Sequence, residues 1–278
     1  MAITPACAPS STARPAQAEP ADPAVVERPS AERWIVRPSS EPQTHRLRIE
    51  GTLVSRVDTL ERTDTLQAEL RTHWTFAAPP MAADIPARIA GTISEYRVSF
   101  GAGDSLRQPP DLTLPVTYAA ERVARGDQPQ LTLPRAGECG PNAPALAALR
   151  ELWGSPPDTL FTGREWADSA NYATCRDSIL IAVTSVRSYR VLGAEEREGE
   201  VLVRISRRSV TRMTGSGTQF GEPLEIEAEG AGEVLLDLAV DGGAIRSGAG
   251  ESELRMEMRG RRRAQQLVQR TRLTITAP

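Results

Sequence analysis

The sequence predicts an α+β, mainly β protein: a curved antiparallel sheet or open half-barrel with one helix across its concave face. Three observations carry this. From His45 onward, apolar and polar residues alternate with period two in long runs. Only residues 143–153 space their apolar side chains as a helix does. Strands precede and follow that helix instead of alternating with helices, which excludes a parallel α/β sheet.

Residues 1–42 are dense in Pro, Ala, Ser and charge, with prolines at 5, 9, 15, 20, 23, 29, 38 and 42. Such a segment buries too little apolar surface to offset its ordering entropy, so it is expected to be a disordered tether. Trp34-Ile35-Val36 is the part of it suited to docking on the domain. A single β-rich domain is expected over 43–278, with strand-rich halves at 43–135 and 158–278. In the first half, Leu47, Ile49, Gly51 and Leu53 alternate with Arg46, Arg48, Glu50 and Thr52. Leu66 to Phe76 and Ile89 to Phe100 repeat the pattern. Leu112 to Val123 and Leu131 to Leu133 are weaker, cut by Pro115 and Pro134.

The helix is expected to open with Asn142 as its cap and Pro144 in the first turn. Leu146, Leu149, Leu152 and Trp153 share one face, and Gly154 with Pro156-Pro157 ends it. In the second half, Ser178 to Tyr189 reads as a central strand, apolar on both faces. Val201 to Ile205, Leu224 to Glu229 and Leu254 to Met258 alternate. Val234 to Val240 runs into the hairpin signal Asp241-Gly242-Gly243, and Leu267 to Thr276 is the last strand.

The formal net charge is -3, which argues against a nucleic-acid partner, since neutralising phosphates takes a concentrated basic surface. All 33 basic residues are Arg, so Schiff-base and P-loop lysine chemistry is excluded. The two histidines, His45 and His73, are expected on polar strand positions, with no metal centre and no cofactor. Gly215-Ser216-Gly217 reads as a hairpin loop, not a nucleophile turn. Glu225, Glu227 and Glu229 read as a solvated strand face. Arg207-Arg208 and the Arg259, Arg261, Arg262, Arg263 group are basic clusters; the second lies beside a hairpin end and reads as a charged turn, with contact to anionic lipid headgroups as the alternative. No catalytic residues are expected, and the chain is expected not to be an enzyme.

An apolar concavity remains as the candidate site, where a greasy ligand commonly sits. Its expected lining is Leu47, Ile49, Leu66, Leu70, Trp74, Leu149, Trp153, Val203, Ile205, Leu254, Met256 and Met258. The same pattern also describes an ordinary packed core.

The chain has three cysteines. Cys139 and Cys175 flank the helical segment. A disulfide between them would close a loop of about 37 residues and stabilise by roughly 4 kcal/mol. Cys7 is left over, at the head of Cys7-Ala8-Pro9-Ser10-Ser11, with Ala6 before it. That resembles the start of a mature bacterial lipoprotein, where the cysteine carries the lipid. Residues before Cys7 lack basic and apolar leader segments, so the leader of an exported form is expected upstream or already trimmed. With the Cys-flanked helix, the segment Gly163-Arg164-Glu165-Trp166-Ala167-Asp168 and the β-rich second half, the chain resembles secreted lipoproteins of the LolA/LppX-like fold over about residues 43–278. The resemblance implies an incomplete antiparallel barrel closed by helices, a lipid or other hydrophobic ligand, and export to the periplasm or attachment to the cell envelope through Cys7. Without a small-molecule site, the chain would be a structural or interaction module of the envelope.

Overall fold

A computed structural model describes residues 32–38, 40–76, 87–101, 103–125, 128–132, 140–152, 156–176, 179–219, 221–261 and 264–277. They belong to one folded unit, Glu32–Pro278. Along the chain run β1 (Arg33–Ile35), β2 (Arg37–Pro38), β3 (Gln43–Val57), β4 (Leu60–Phe76), β5 (Ala87–Phe100), β6 (Val116–Arg125) and β7 (Gln128–Thr132). Helix α1 (Ala143–Leu149) continues as a 3-10 turn, Arg150–Leu152. Then come β8 (Thr159–Phe161), β9 (Glu165–Arg176), β10 (Ile179–Arg197), β11 (Glu200–Gln219), β12 (Glu222–Ala239), β13 (Asp241–Gly242), β14 (Ile245–Gly260) and β15 (Ala264–Thr276).

Eleven strands form one antiparallel sheet in the order β7-β6-β5-β4-β3-β15-β14-β12-β11-β10-β9. Two meanders meet at a central seam, where β3 pairs with β15 in the register Gly51↔Thr271. The sheet is open, because β7 and β9 come close but do not pair. The chain crosses from one edge to the other through α1. Helix α1 touches both β4 and β9, seven strand spacings apart in the order. On a flat sheet those strands would lie roughly 34 Å apart, far beyond the width of a helix. The sheet must therefore curl around α1, and its inward face is concave.

Alternation sets which side chains face in. Leu47, Leu70, Tyr96, Val191, Ile205, Leu236 and Ile275 are buried, while the residues between them along each strand are mostly exposed or half-buried. Leu149 and Leu160 are fully buried in the same cluster, each contributing about 1.5–3 kcal/mol relative to exposure. Trp34 and Val36 join it as β1 pairs with β8 and β2 with β13. The docked chain thus begins before residue 43, because this Trp-x-Val alternation gives the tether's end an apolar face.

Four local expectations are corrected. Asn142 makes no side-chain cap bond; the carbonyls at the other end of the helical segment are instead taken up by sheet arginines. The α-helix spans only Ala143–Leu149, and Trp153 lies outside the described residues. Strand β10 is not apolar on both faces: Leu180, Val186 and Leu192 are exposed, and the strand is next to the edge. Gly215-Ser216-Gly217 is strand, not loop. A Cβ at Gly215 would meet Leu180 O at 2.8 Å, and one at Gly217 would meet Ile179 Cγ1 at 3.0 Å. These glycines leave room for the isoleucines of β10.

Candidate functional site

The expected lining residues divide between two clusters on the inward face. Leu47, Ile49, Leu70, Trp74, Leu149, Val203 and Ile205 pack with α1 in the larger one. That end is filled by protein side chains. Met258 lies in a second cluster with Ile179, Ile181, Val183, Ile226 and Leu267, and Leu53, Tyr172, Met213, Leu224 and Met256 lie half-buried against it. No residue of α1 belongs to this second cluster. Leu66 and Leu254 are half-buried and belong to neither.

A cross-strand row of small and polar residues separates the clusters. Through the ladder pairings it runs Leu66, Gly51, Thr271, Ser252, Gly232, Ser209, Arg187, Asp168. Ser252 is exposed and hydrogen-bonds Thr271 between side-chain oxygens at 2.7 Å. A Cβ at Gly51 would come within 2.1 Å of Arg270 O, so the strands here approach too closely for any other residue.

At the β9–β11 end of this row sits a buried ionic network. Arg187 Nε donates to Asp168 Oδ1 at 2.6 Å and Nη2 to Oδ2 at 3.0 Å, a two-point clamp. Tyr189 OH donates to the same carboxylate at 3.0 Å, and Trp166 stacks on Tyr189 with ring centres 4.9 Å apart. Burial pulls the Arg187 guanidinium down, but neighbouring Tyr189 and Asp168 outweigh it and hold its pKa above the ordinary value. Burial pushes the Tyr189 hydroxyl up. Arg187 Nη1 donates to Arg150 O at 3.1 Å. Arg207 donates to Glu151 O at 2.7 Å and to Glu151 Oε2 at 2.8 Å. The two sheet arginines thus hold the 3-10 turn by its carbonyls, where positive charge is favourable. The Arg150 guanidinium lies over the Tyr172 ring, 3.9 Å from its centre.

His45 also departs from expectation. It is 0% exposed, stacked on Trp74 at 4.0 Å, and its Nε2 donates to Ile245 O at 2.9 Å. Nδ1 is buried without a partner. Burial foremost, and then the charge of Arg246, lower its pKa to about 4 against the backbone hydrogen bond, so the ring is neutral. His73 is half-buried and hydrogen-bonds Thr44 at 2.8 Å on the opposite side of the sheet. Among the described residues, no three His, Cys, Asp or Glu side chains are grouped as for a metal ion.

Of the Arg207-Arg208 basic cluster, Arg207 is buried in mid-strand and Arg208 is exposed. Glu225, Glu227 and Glu229 are exposed as expected, with Glu229 paired to Arg212 and Glu227 to Arg259. Arg259 is on β14 and Arg261 is exposed just beyond it; Arg262 and Arg263 lie outside the described residues. Cys175 is disulfide-bonded; Cys139 and Cys7 lie outside the described residues. Strand β9, which supplies Trp166, Asp168 and Tyr172, was not expected as a strand. Its signal is the even-numbered run Trp166, Asp168, Ala170, Tyr172, broken by a charge at an inward position.

No family model and no curated protein matches the chain. DynF from the dynemicin biosynthesis pathway of Micromonospora chersina is similar at 11% identity and a TM-score of 0.25, covering 95% of this chain and 92% of that one. An outer membrane channel from Pseudomonas putida F1 is similar at 7% identity and a TM-score of 0.21, covering 88% and 98%. Likenesses at that level bear on neither fold nor function.

Proposed function

We propose that this chain is a non-catalytic cell-envelope protein that binds an apolar, lipid-like ligand on the inward face of its half-barrel. One observation carries the reading: beyond the polar row, Leu53, Met213, Leu254 and Met256 stay half-buried on a concave face, away from the helix-packed cluster. Flexible Met and Leu side chains suit a ligand that varies in shape. The filled cluster around α1 acts as scaffold rather than as pocket.

The outward face supports a water-facing exterior. Arg204, Arg208 and Arg212 on β11 stand against Asp237, Glu233 and Glu229 on β12. Charges at these mid-strand positions are the reverse of the apolar band of a membrane-spanning barrel. No described helix is long and apolar enough to cross a membrane. Attachment is assigned to Cys7 as a lipidated residue. The bonded state of Cys175 suits an oxidising compartment such as the periplasm, and Cys139 is its proposed partner.

The test is mass spectrometry of lipids extracted from protein purified under mild conditions. A co-purifying long-chain species is expected, and it should be lost when Met256 and Leu254 are both changed to Asp. A wild-type protein that carries none and takes up no acyl probe would leave the second reading, an envelope interaction module. The dense packing around α1 favours that reading, and pull-down from membranes would then identify its partner.

A further inference from the structure

We propose that the ligand is an anionic amphiphile, its negative head held by Arg150 with Arg207 and Arg187 behind it and its chain running toward Met213 and Met256. This rests on the reading of the face as an apolar-ligand site and adds the chemistry of the head group.

Among the described residues, three guanidiniums, Arg150, Arg187 and Arg207, meet two carboxylates. Asp168 is engaged by both forks of Arg187, and Glu151 by Arg207. Arg150 has no carboxylate partner among the described residues; its guanidinium rests on the Tyr172 ring. Burial lowers the Arg150 pKa, as does the charge of Arg187, with Tyr172 opposing. A half-buried cation without a counter-ion is costly unless an anion arrives to meet it.

Arg207 is 1% exposed, yet its Nε–H has no acceptor, and the buried Trp166 Nε1–H has none either. The two stand in one row across Tyr189, in the register Trp166↔Tyr189↔Arg207. A buried donor without an acceptor is costly, and Arg207, which holds Glu151 next to Arg150, has its Nε–H left for an incoming oxyanion.

Tyr172, on which Arg150 lies, heads the inward row Val183, Met213, Ala228, Met256, Leu267. A cation thus sits at one end of an apolar track five strand spacings long, roughly 24 Å along the sheet. That places head and tail of a long-chain anion in sequence. A carboxylate and a phosphate monoester both fit these N–H donors.

The experiment uses the full chain stripped of lipid and titrates hexadecanoate, hexadecyl phosphate and hexadecanol against a bound fluorescent acyl probe. At least one anion should bind tenfold or more tighter than the alcohol, and the tighter of the two assigns the head group. Arg150→Gln should abolish that preference with hexadecanol affinity unchanged, while Arg150→Lys should retain part of it. Circular dichroism and urea midpoints should show both variants folded. Equal affinity for anions and alcohol, or an unchanged preference in folded Arg150→Gln, overturns the head-group assignment alone. Binding of none of the three overturns the ligand reading as well.

Discussion

Lowering the pH should unfold this protein earlier than its exposed carboxylates require, and His45 is the reason. The ring is sealed between Trp74 and the β3–β14 contact, with Nδ1 unpartnered and a folded pKa of about 4. Unfolded, the group returns to 6.5. The folded state therefore binds the proton less tightly, and stability is present in full above the unfolded value and lost as pH falls from there toward 4. Linkage puts the loss between pH 7 and pH 5 at about 2 kcal/mol from this one group, approaching about 3 kcal/mol below the folded value. Arg246 adds to the effect by repelling the imidazolium. Urea unfolding at pH 7, 6 and 5 should be compared with His45→Gln, whose amide still offers a donor to Ile245 O. The wild-type midpoint should fall more steeply than that of the variant, with the difference closing above pH 7. Parallel pH profiles would refute the argument, because they would mean that the ring titrates alike in both states.

Three further outcomes follow from the packing. Asp168→Ala should cost about 3–5 kcal/mol by removing the carboxylate that clamps the buried Arg187, measurable by urea titration; a loss under about 1 kcal/mol would mean that water reaches the guanidinium. Gly250→Ala should destabilise by about 1–3 kcal/mol, since its Cβ would stand 2.2 Å from Glu233 O; an unchanged melting temperature would contradict that approach. Peptide mapping without reductant should find Cys175 joined to Cys139, and a bond to Cys7 instead would remove Cys7 from lipidation.

The architecture was legible wherever alternation was clean. Leu47-Arg48-Ile49-Glu50 and Leu254-Arg255-Met256-Glu257 announce half-buried strands, and Pro144 places the start of the helix. Polar residues in apolar register carry the difference. His45 shares the parity of Leu47 and Ile49, Arg207 that of Val203 and Ile205, and Arg187 that of Val183 and Tyr189. The strand's period points each side chain inward, and for His45 only the assumption that a polar ring faces water placed it outside. The partners that satisfy them were not legible. Asp168 meets Arg187 across β9 and β10, and Glu151 meets Arg207 from the helical turn. Those pairings depend on the crossover from β7 to β9, which no local pattern encodes. The division of the apolar face was hidden too, because Thr271, Ser252 and Gly232 form a row only once two ladders are in register.

The seam between β3 and β15 bears on how the molecule is assembled during synthesis. Strand β3 is among the first to emerge, and its second partner is the last strand described. Until β15 arrives, the β3–β7 meander carries a long unpaired margin, and the β9–β14 meander carries another on β14. Each margin is a template for pairing with a neighbouring chain. A nascent chain held unfolded until complete, as transport across a membrane would require, never presents those margins one at a time. Strand β15 then acts as a keystone, joining the two arms in a single late step.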